Sequence, residues 1–214
     1  MPMDFFDIHT HNITSFPEKE LVSYDVQLAL PEADVVYASV GIHPWNLTEE
    51  NAEQELQLLQ EAFKDSRVIA IGEAGLDKLK GPSLEVQISV FRRVSGLAEE
   101  RCLPLVIHCV RAFNELLLLK KELKPTQPWI IHGYRGKGTV VQELIKQGFY
   151  LSFGGKFQEQ ALWVVPLDRL FIETDESLED IQDIYRKVAK ARNLSVEELV
   201  EAVKQNVQKV FFKH

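Results

Sequence analysis

The chain has 214 residues, of which 45% are hydrophobic and 26% charged, with 24 Lys plus Arg against 32 Asp plus Glu for a net charge of −8. Such a length and composition exclude a disordered or fibrous chain and fit one sizeable domain, able to bury roughly 70% of its unfolded surface without disulfide or metal staples. The acidic balance argues against nucleic acid held over the whole surface and leaves only a local basic patch or a bound metal to attract phosphate.

Two cysteines, Cys102 and Cys109, stand seven residues apart. That is no zinc or redox CxxC spacing, and such sparse usage suits a reducing, cytoplasmic setting. Met1-Pro2-Met3-Asp4 lacks the basic and apolar regions of a signal peptide, and no apolar run approaches the ~18 residues of a membrane span. No linker, charge block or low-complexity tract marks a boundary, so 1–214 reads as a single domain.

Along the chain, short apolar runs alternate with helical patterns. The runs are Asp4–Ile8, Val35–Val40, Val68–Gly72, Leu105–Ile107, Trp129–Ile131, Phe149–Phe153 and Leu170–Thr174, with Leu21–Val26 as a possible eighth. They are almost continuously apolar, as strands buried on both faces of a parallel sheet should be. Thr48 is expected to cap a helix with the stripe Leu56, Leu59, Phe63, and the next helix carries Leu84, Ile88, Phe91, Val94 and Leu97. Thr139–Lys146 should end at Gly148, and Ser195 with Glu198 forms a capping box opening a helix toward Val210. The fold class expected is α/β, a (β/α) TIM-like barrel.

The polar residues that end the strands carry the chemistry. Phe5-Phe6-Asp7-Ile8 stops at His9-Thr10-His11, and Val40-Gly41-Ile42 stops at His43. Glu73 ends the run through Gly72, His108 the run through Ile107, His132 the run through Ile131, and Asp175 the run through Thr174. In a parallel α/β fold these ends converge on the rim where ligands sit. His9 and His11, two apart, point the same way on an extended strand, roughly 7 Å apart at Cα, a spacing that lets both imidazoles grip one divalent ion. His9, His11, Glu73, His108, His132 and Asp175 offer four nitrogens and two carboxylates, more than one closed tetrahedral site takes and suited to two ions sharing a bridge. Mixed N/O ligation fits Zn, Mn or Co and fits Mg less well.

In these stretches the chain resembles the TatD family of metal-dependent hydrolases, amidohydrolase-like TIM barrels. The matching segments are Asp7-Ile8-His9-Thr10-His11-Asn12, Val40-Gly41-Ile42-His43-Pro44, Ile71-Gly72-Glu73-Ala74-Gly75-Leu76-Asp77 and Pro104-Leu105-Val106-Ile107-His108. They continue with Gly148-Phe149-Tyr150-Leu151-Ser152-Phe153, Pro166-Leu167-Asp168-Arg169, Ile172-Glu173-Thr174-Asp175, Asn206 and Phe211. The resemblance implies a first divalent ion on His9, His11, Glu73 and Asp175, and a second on His108 and His132, with Glu73 bridging. It implies a metal-activated water attacking phosphorus in line, with Asp175 as proton acceptor and Glu73 as the other catalytic carboxylate. His43 resembles the family's substrate-contacting histidine, against a structural role. The metals expected are two ions of Zn, Mn, Co or Mg.

The segment Asn12–Val35 is far shorter than the family usually shows, so the barrel is expected to be shortened or distorted near its N-terminal units. The arginine usual two residues after His108 is replaced by Val110, with Arg111 following, and Gly133-Tyr134-Arg135-Gly136 and Glu176-Ser177 also depart from the pattern. Arg135 either contacts substrate phosphate or is a solvated loop residue. The leading expectation is a deoxyribonuclease acting on DNA ends, single-stranded DNA or a small phosphoester, as a monomer with no membrane association. The alternatives are hydrolysis of a small ester, amide or aminoacyl bond on the same site, or an inactive binding protein. Gly136-Lys137-Gly138-Thr139 lacks the first glycine of a phosphate loop and reads as a turn into a helix. Cys109, pointing away from His108, and Cys102 read as inert packing, Leu116–Leu119 as a buried helix face, and His214 carries no signal.

Overall fold

The protein is described by a computed structural model over residues 4–28 and 31–212, so His214 lies outside the described residues. There are eight strands, alternating with helices from β3 onward: β1 Asp7–Thr10, β2 Glu20–Asp25, β3 Ala38–Gly41, α1 Ala52–Ala62, β4 Val68–Asp77, α2 Leu84–Arg101, β5 Leu105–Val110 and α3 Phe113–Leu123. Then come β6 Trp129–Ile131, α4 Gly138–Lys146, β7 Tyr150–Phe153, α5 Glu159–Val164, β8 Leu170–Ile172, α6 Ile181–Arg192 and α7 Val196–Phe211. The strands are parallel and follow one another in chain order, β1 to β8, the (β/α) architecture of a TIM-like barrel. The shortening falls where the sequence places it. Between β1 and β2 there is only a 3-10 turn, Pro17–Lys19, and among the described residues no α-helix precedes β3.

The chain divides into two compact units, Ser23–Ile130 and a second made of Met1–Val22 with Ile131–His214. In the first, β3, β4 and β5 pair in parallel, with Val40 opposite Ile71 and Gly75 opposite His108. Their close approach requires glycine: a Cβ at Gly41 would meet the Glu73 carbonyl oxygen, and one at Gly75 the His108 carbonyl oxygen. Helix α2 starts at Ser83, whose hydroxyl accepts from the Val86 N–H, and buries Phe91, Val94 and Leu97, with Phe91 edge-on to the buried Trp129 at 5.2 Å. Leu84 and Ile88, the other members of the expected stripe, are half-buried.

Three expectations are corrected in this unit. Thr48 does not cap α1, whose N-cap is Asn51. Instead the Thr48 N–H donates to Asn51 Oδ1 and the Asn51 N–H to Thr48 Oγ1, a closed local pair three residues apart. Cys102 is exposed rather than packed, because it ends α2 in the left-handed conformation at φ 56°. In α3, Leu116 and Leu119 are buried but Leu118 points outward, as helical spacing requires of one residue in such a run.

In the second unit, β7 and β8 pair with Ser152 opposite Phe171, and β1 meets the residue past β8. There the Asp175 N–H donates to the His9 carbonyl at 2.9 Å and the His11 N–H to the Asp175 carbonyl at 3.2 Å. Gly148 follows α4 with φ 81°, a conformation glycine adopts without strain. The Ser195–Glu198 capping box is complete, and Asn206 on α7 donates to the carbonyls of Leu167 and Leu170, tying the helix to the start of β8.

Candidate metal centre

In the unit built from the two chain ends, β1 carries His9 and is followed at once by His11, His132 follows β6, and Glu173 and Asp175 follow β8. Asp175 has φ 58° and is held between the backbones of His9 and His11, which brings its carboxylate to both rings. Its Oδ1 lies 3.8 Å from His9 Nε2 and 3.7 Å from His11 Nε2. The His9 ring stands 5.1 Å from that of His11 and 4.3 Å from that of His132. Donor atoms of His9, His11 and Asp175 lie within 4.8 Å of one another, as do those of His132, Glu173 and Asp175.

Two carboxyl groups lie behind these residues. Burial works to raise Glu173, but the hydrogen bond and charge of His132, 3.5 Å away, with the charge of His9, hold it below the ordinary carboxylate range. Asp7 is pushed up to about 8 by burial, against the hydrogen bonds of the Thr174 hydroxyl at 2.6 Å and of the His9 and Thr174 N–H groups. Asp7 opens β1, two residues before His9, and Glu173 directly follows β8, two residues before Asp175.

In the Ser23–Ile130 unit, His43 follows β3, Glu73 and Asp77 lie on β4, and His108 on β5. Glu73 Oε1 is 2.6 Å from His108 Nδ1 and 3.2 Å from His43 Nε2, and the three residues form a third donor group within 4.8 Å. The other His108 nitrogen, Nε2, is 3.2 Å from Asp77 Oδ2, an oxygen that also accepts the Trp45 indole N–H at 2.7 Å. Burial opposes the charge on Asp77, yet the bonds from Trp45, the Leu79 N–H and His108 bring it below its usual value. A ligating histidine whose second nitrogen meets a carboxylate is fixed in ring orientation and made more basic.

All six expected ligands therefore sit within donor groups, four in one unit and two in the other. Glu73 and His108 do not end their strands as expected, because β4 runs on to Asp77 and β5 to Val110. His43 stands with Glu73 and His108. Arg135 does not join a donor group: it is exposed in the loop after β6, where its backbone carbonyl accepts from Gln158. Cys109 is held inert, since burial pushes its thiol up to about 12. Sequence reasoning passes over Asp7, Asp77 and Glu173 as site residues. Each lies two or four residues from a named ligand on or beside the same strand, hence on its face, and that spacing is the available signal.

The donor set fits a divalent ion. Two atoms each ~2.1 Å from one ion stand at most ~4.2 Å apart, and the His9–Asp175 and His11–Asp175 separations of 3.8 and 3.7 Å meet that limit.

The chain matches the family described as TatD related DNase over residues 8–212. It is 30% identical over 205 residues to the uncharacterized metal-dependent hydrolase YabD of Bacillus subtilis, covering 85% of this chain and 80% of that protein. It is 29% identical over 160 residues to the 3'-5' ssDNA/RNA exonuclease TatD of Erwinia amylovora, covering 70% of this chain and 61% of that protein. The crystal structure of YjjV, a TatD homologue from Escherichia coli, superposes with a TM-score of 0.84 at 21% identity over the full length of both chains, which fixes the fold. With 205 of its residues inside the family match and histidines and carboxylates ending its strands, the chain belongs to the TatD related DNase family of metal-dependent hydrolases.

Proposed function

We propose that this protein is a two-metal phosphodiesterase that cleaves DNA at ends or in single strands. The observation that carries the reading is the gathering of histidine nitrogens and carboxylate oxygens on and just past the strands, three donor residues to a group, in both units. His9, His11, Glu73 and Asp175 would hold one ion, His108 and His132 the second, with Glu73 serving both. Bound there, two divalent ions of the Zn, Mn, Co or Mg class supply Lewis acidity, a lowered water pKa and a clamp on the attacking and leaving oxygens.

The chain's own residues do the rest. Asp175, partly exposed and held by two backbone bonds, accepts the proton of the attacking water. His43 orients a phosphate oxygen from beside Glu73, and Arg135 supplies a positive charge from the loop after β6. The name of the Erwinia amylovora relative, a 3'-5' ssDNA/RNA exonuclease, supports single-stranded nucleic acid as the substrate class. A small phosphoester is the minimal version of the same substrate. The unbroken strand order supports one domain over 1–214, and the two free thiols suit the cytoplasm. A monomer completes the reading. Among the described residues no helix is long and apolar enough to cross a membrane.

The test is hydrolysis of a single-stranded oligonucleotide by metal-loaded protein. Asp175→Asn keeps an oxygen ligand but cannot take a proton, so kcat should fall by ~10² to 10⁴. An unreactive oligonucleotide, with rapid turnover of a carboxylic ester or amide, would overturn the reading.

A further inference from the structure

Trp45 is a large aromatic left 43% exposed one loop turn beyond His43. It is nevertheless rigidly held. Its indole N–H donates to Asp77 at 2.7 Å, and its ring stands edge-on to His43 at 4.9 Å and to His108 at 5.7 Å. The Lys80 ammonium lies over the same indole, 3.5 Å from its centroid.

The loop that carries Lys80 is fixed by the same carboxylate. Asp77 Oδ1 accepts the N–H groups of Leu79 at 2.7 Å and Lys80 at 3.2 Å, while Oδ2 serves Trp45 and His108. Gly81, at φ 92°, lets this loop close on the loop of Trp45, since a Cβ there would strike the Pro44 carbonyl oxygen. The neighbouring lysine, Lys78, is taken up by Glu115 at 2.6 Å. One buried carboxylate thus places a histidine donor, an exposed aromatic surface and a cation in a single array. Folding alone does not require an exposed indole to be so fixed, and burial would favour it covered.

We propose that Trp45 and Lys80 are the substrate-recognition pair of this enzyme, with a nucleobase stacked on the indole and Lys80 paired with the phosphate attached to that nucleoside. The inference rests on the nucleic-acid reading above and deepens it. An aromatic platform accepts any base, because every base has a π-face. The Lys80 ammonium covers one indole face, so the base takes that face as Lys80 swings out to the phosphate, where its charge supplies local attraction that an acidic chain otherwise lacks. Recognition is then by stacking and charge at one nucleotide, with little sequence preference.

The experiment compares a short oligothymidylate with the same oligomer carrying an abasic residue at the scissile nucleotide. Measured against Trp45→Phe, which equally lacks the bond to Asp77, Trp45→Ala should raise KM for the base-bearing oligomer roughly 5- to 100-fold, and this difference between the two variants should vanish on the abasic oligomer. Trp45→Phe keeps a stacking face but loses the bond to Asp77, so it should retain most of the wild-type preference for the base. Binding of oligothymidylate should quench the emission of Trp45 in the wild type and not in Trp45→Phe, although Trp45→Phe still binds a labelled oligomer. Lys80→Gln should raise KM on both oligomers and lower the salt dependence by about one phosphate contact, ~0.7 in slope.

If Trp45→Ala leaves the ratio of kcat/KM for the two oligomers unchanged while the wild type cleaves both, the pair does not read the base. Equal falls in kcat for both Trp45 variants on both oligomers would make Trp45 a prop for His108 and overturn the proposal. A wild-type protein that neither binds nor cleaves either oligomer defeats the nucleic-acid reading itself.

Discussion

Glu55, on α1, offers a stability test with a definite sign. It is 1% exposed, accepts the Gln27 side-chain N–H at 2.5 Å, and has its carboxyl pushed from the ordinary 4.5 to about 7 by burial and then by the charge of Asp25. Above pH 4.5 the unfolded chain has released this proton while the folded chain still holds it. Folding stability therefore falls as pH rises from 4.5 to about 7 and levels off beyond. At ~1.4 kcal/mol per unit of pKa, the loss across that window is up to about 3 kcal/mol. Glu55→Gln keeps a carbonyl oxygen to accept from Gln27 and removes the titration. Urea unfolding of both proteins at pH 4.5, 6 and 8 isolates the effect, because the titrating groups that do not interact with Glu55 cancel in the difference. The variant should gain on the wild type as pH rises and exceed it most at pH 8. A difference independent of pH, or a variant that loses ground as pH rises, would refute the assignment.

Gly75→Ala should destabilise the protein by more than the ~1–3 kcal/mol of ordinary overpacking, since its Cβ meets the backbone oxygen of His108; thermal unfolding reads the shift directly. Asp77→Asn should weaken metal retention ~10- to 100-fold, measured by competition with a chromophoric chelator, because the carboxylate facing His108 Nε2 is replaced by an amide. Binding of single-stranded DNA to the Asp175→Asn protein should weaken with salt at a slope of about −1 to −2, measured by anisotropy, since only a few phosphates are engaged. A slope near −6 would require an extended basic track.

Much of the fold and most residues of the candidate metal centre are legible in the amino-acid sequence, for a physical reason. Buried parallel strands are read from apolar continuity, so a histidine or carboxylate that interrupts one stands out, and His9, His11, Glu73, His108, His132 and Asp175 all do. The partners of those residues are harder to see. Asp77 reads as one more acidic residue until β4 is known to run on to position 77, four residues past Glu73 and on the same face. Glu173 and Asp7 lie two residues from Asp175 and His9, and only their burial distinguishes them from solvated acids. Trp45 carries no periodic signal at all, since its role depends on loops brought together by Gly81. Thr48 shows the opposite limit, where two good capping residues three apart satisfy each other rather than the helix. The left-handed turn at Cys102 likewise leaves exposed a side chain whose type is usually buried.

The most direct test of the two-metal account is metal stoichiometry by elemental mass spectrometry after loading with manganese or zinc and removal of excess ion. The account expects two ions per chain in the wild type, at most one in His9→Ala and in His108→Ala, and impaired binding of both in Glu73→Ala, whose carboxylate would serve the two ions together. Two tightly held ions in Glu73→Ala, or none in the wild type, would contradict it.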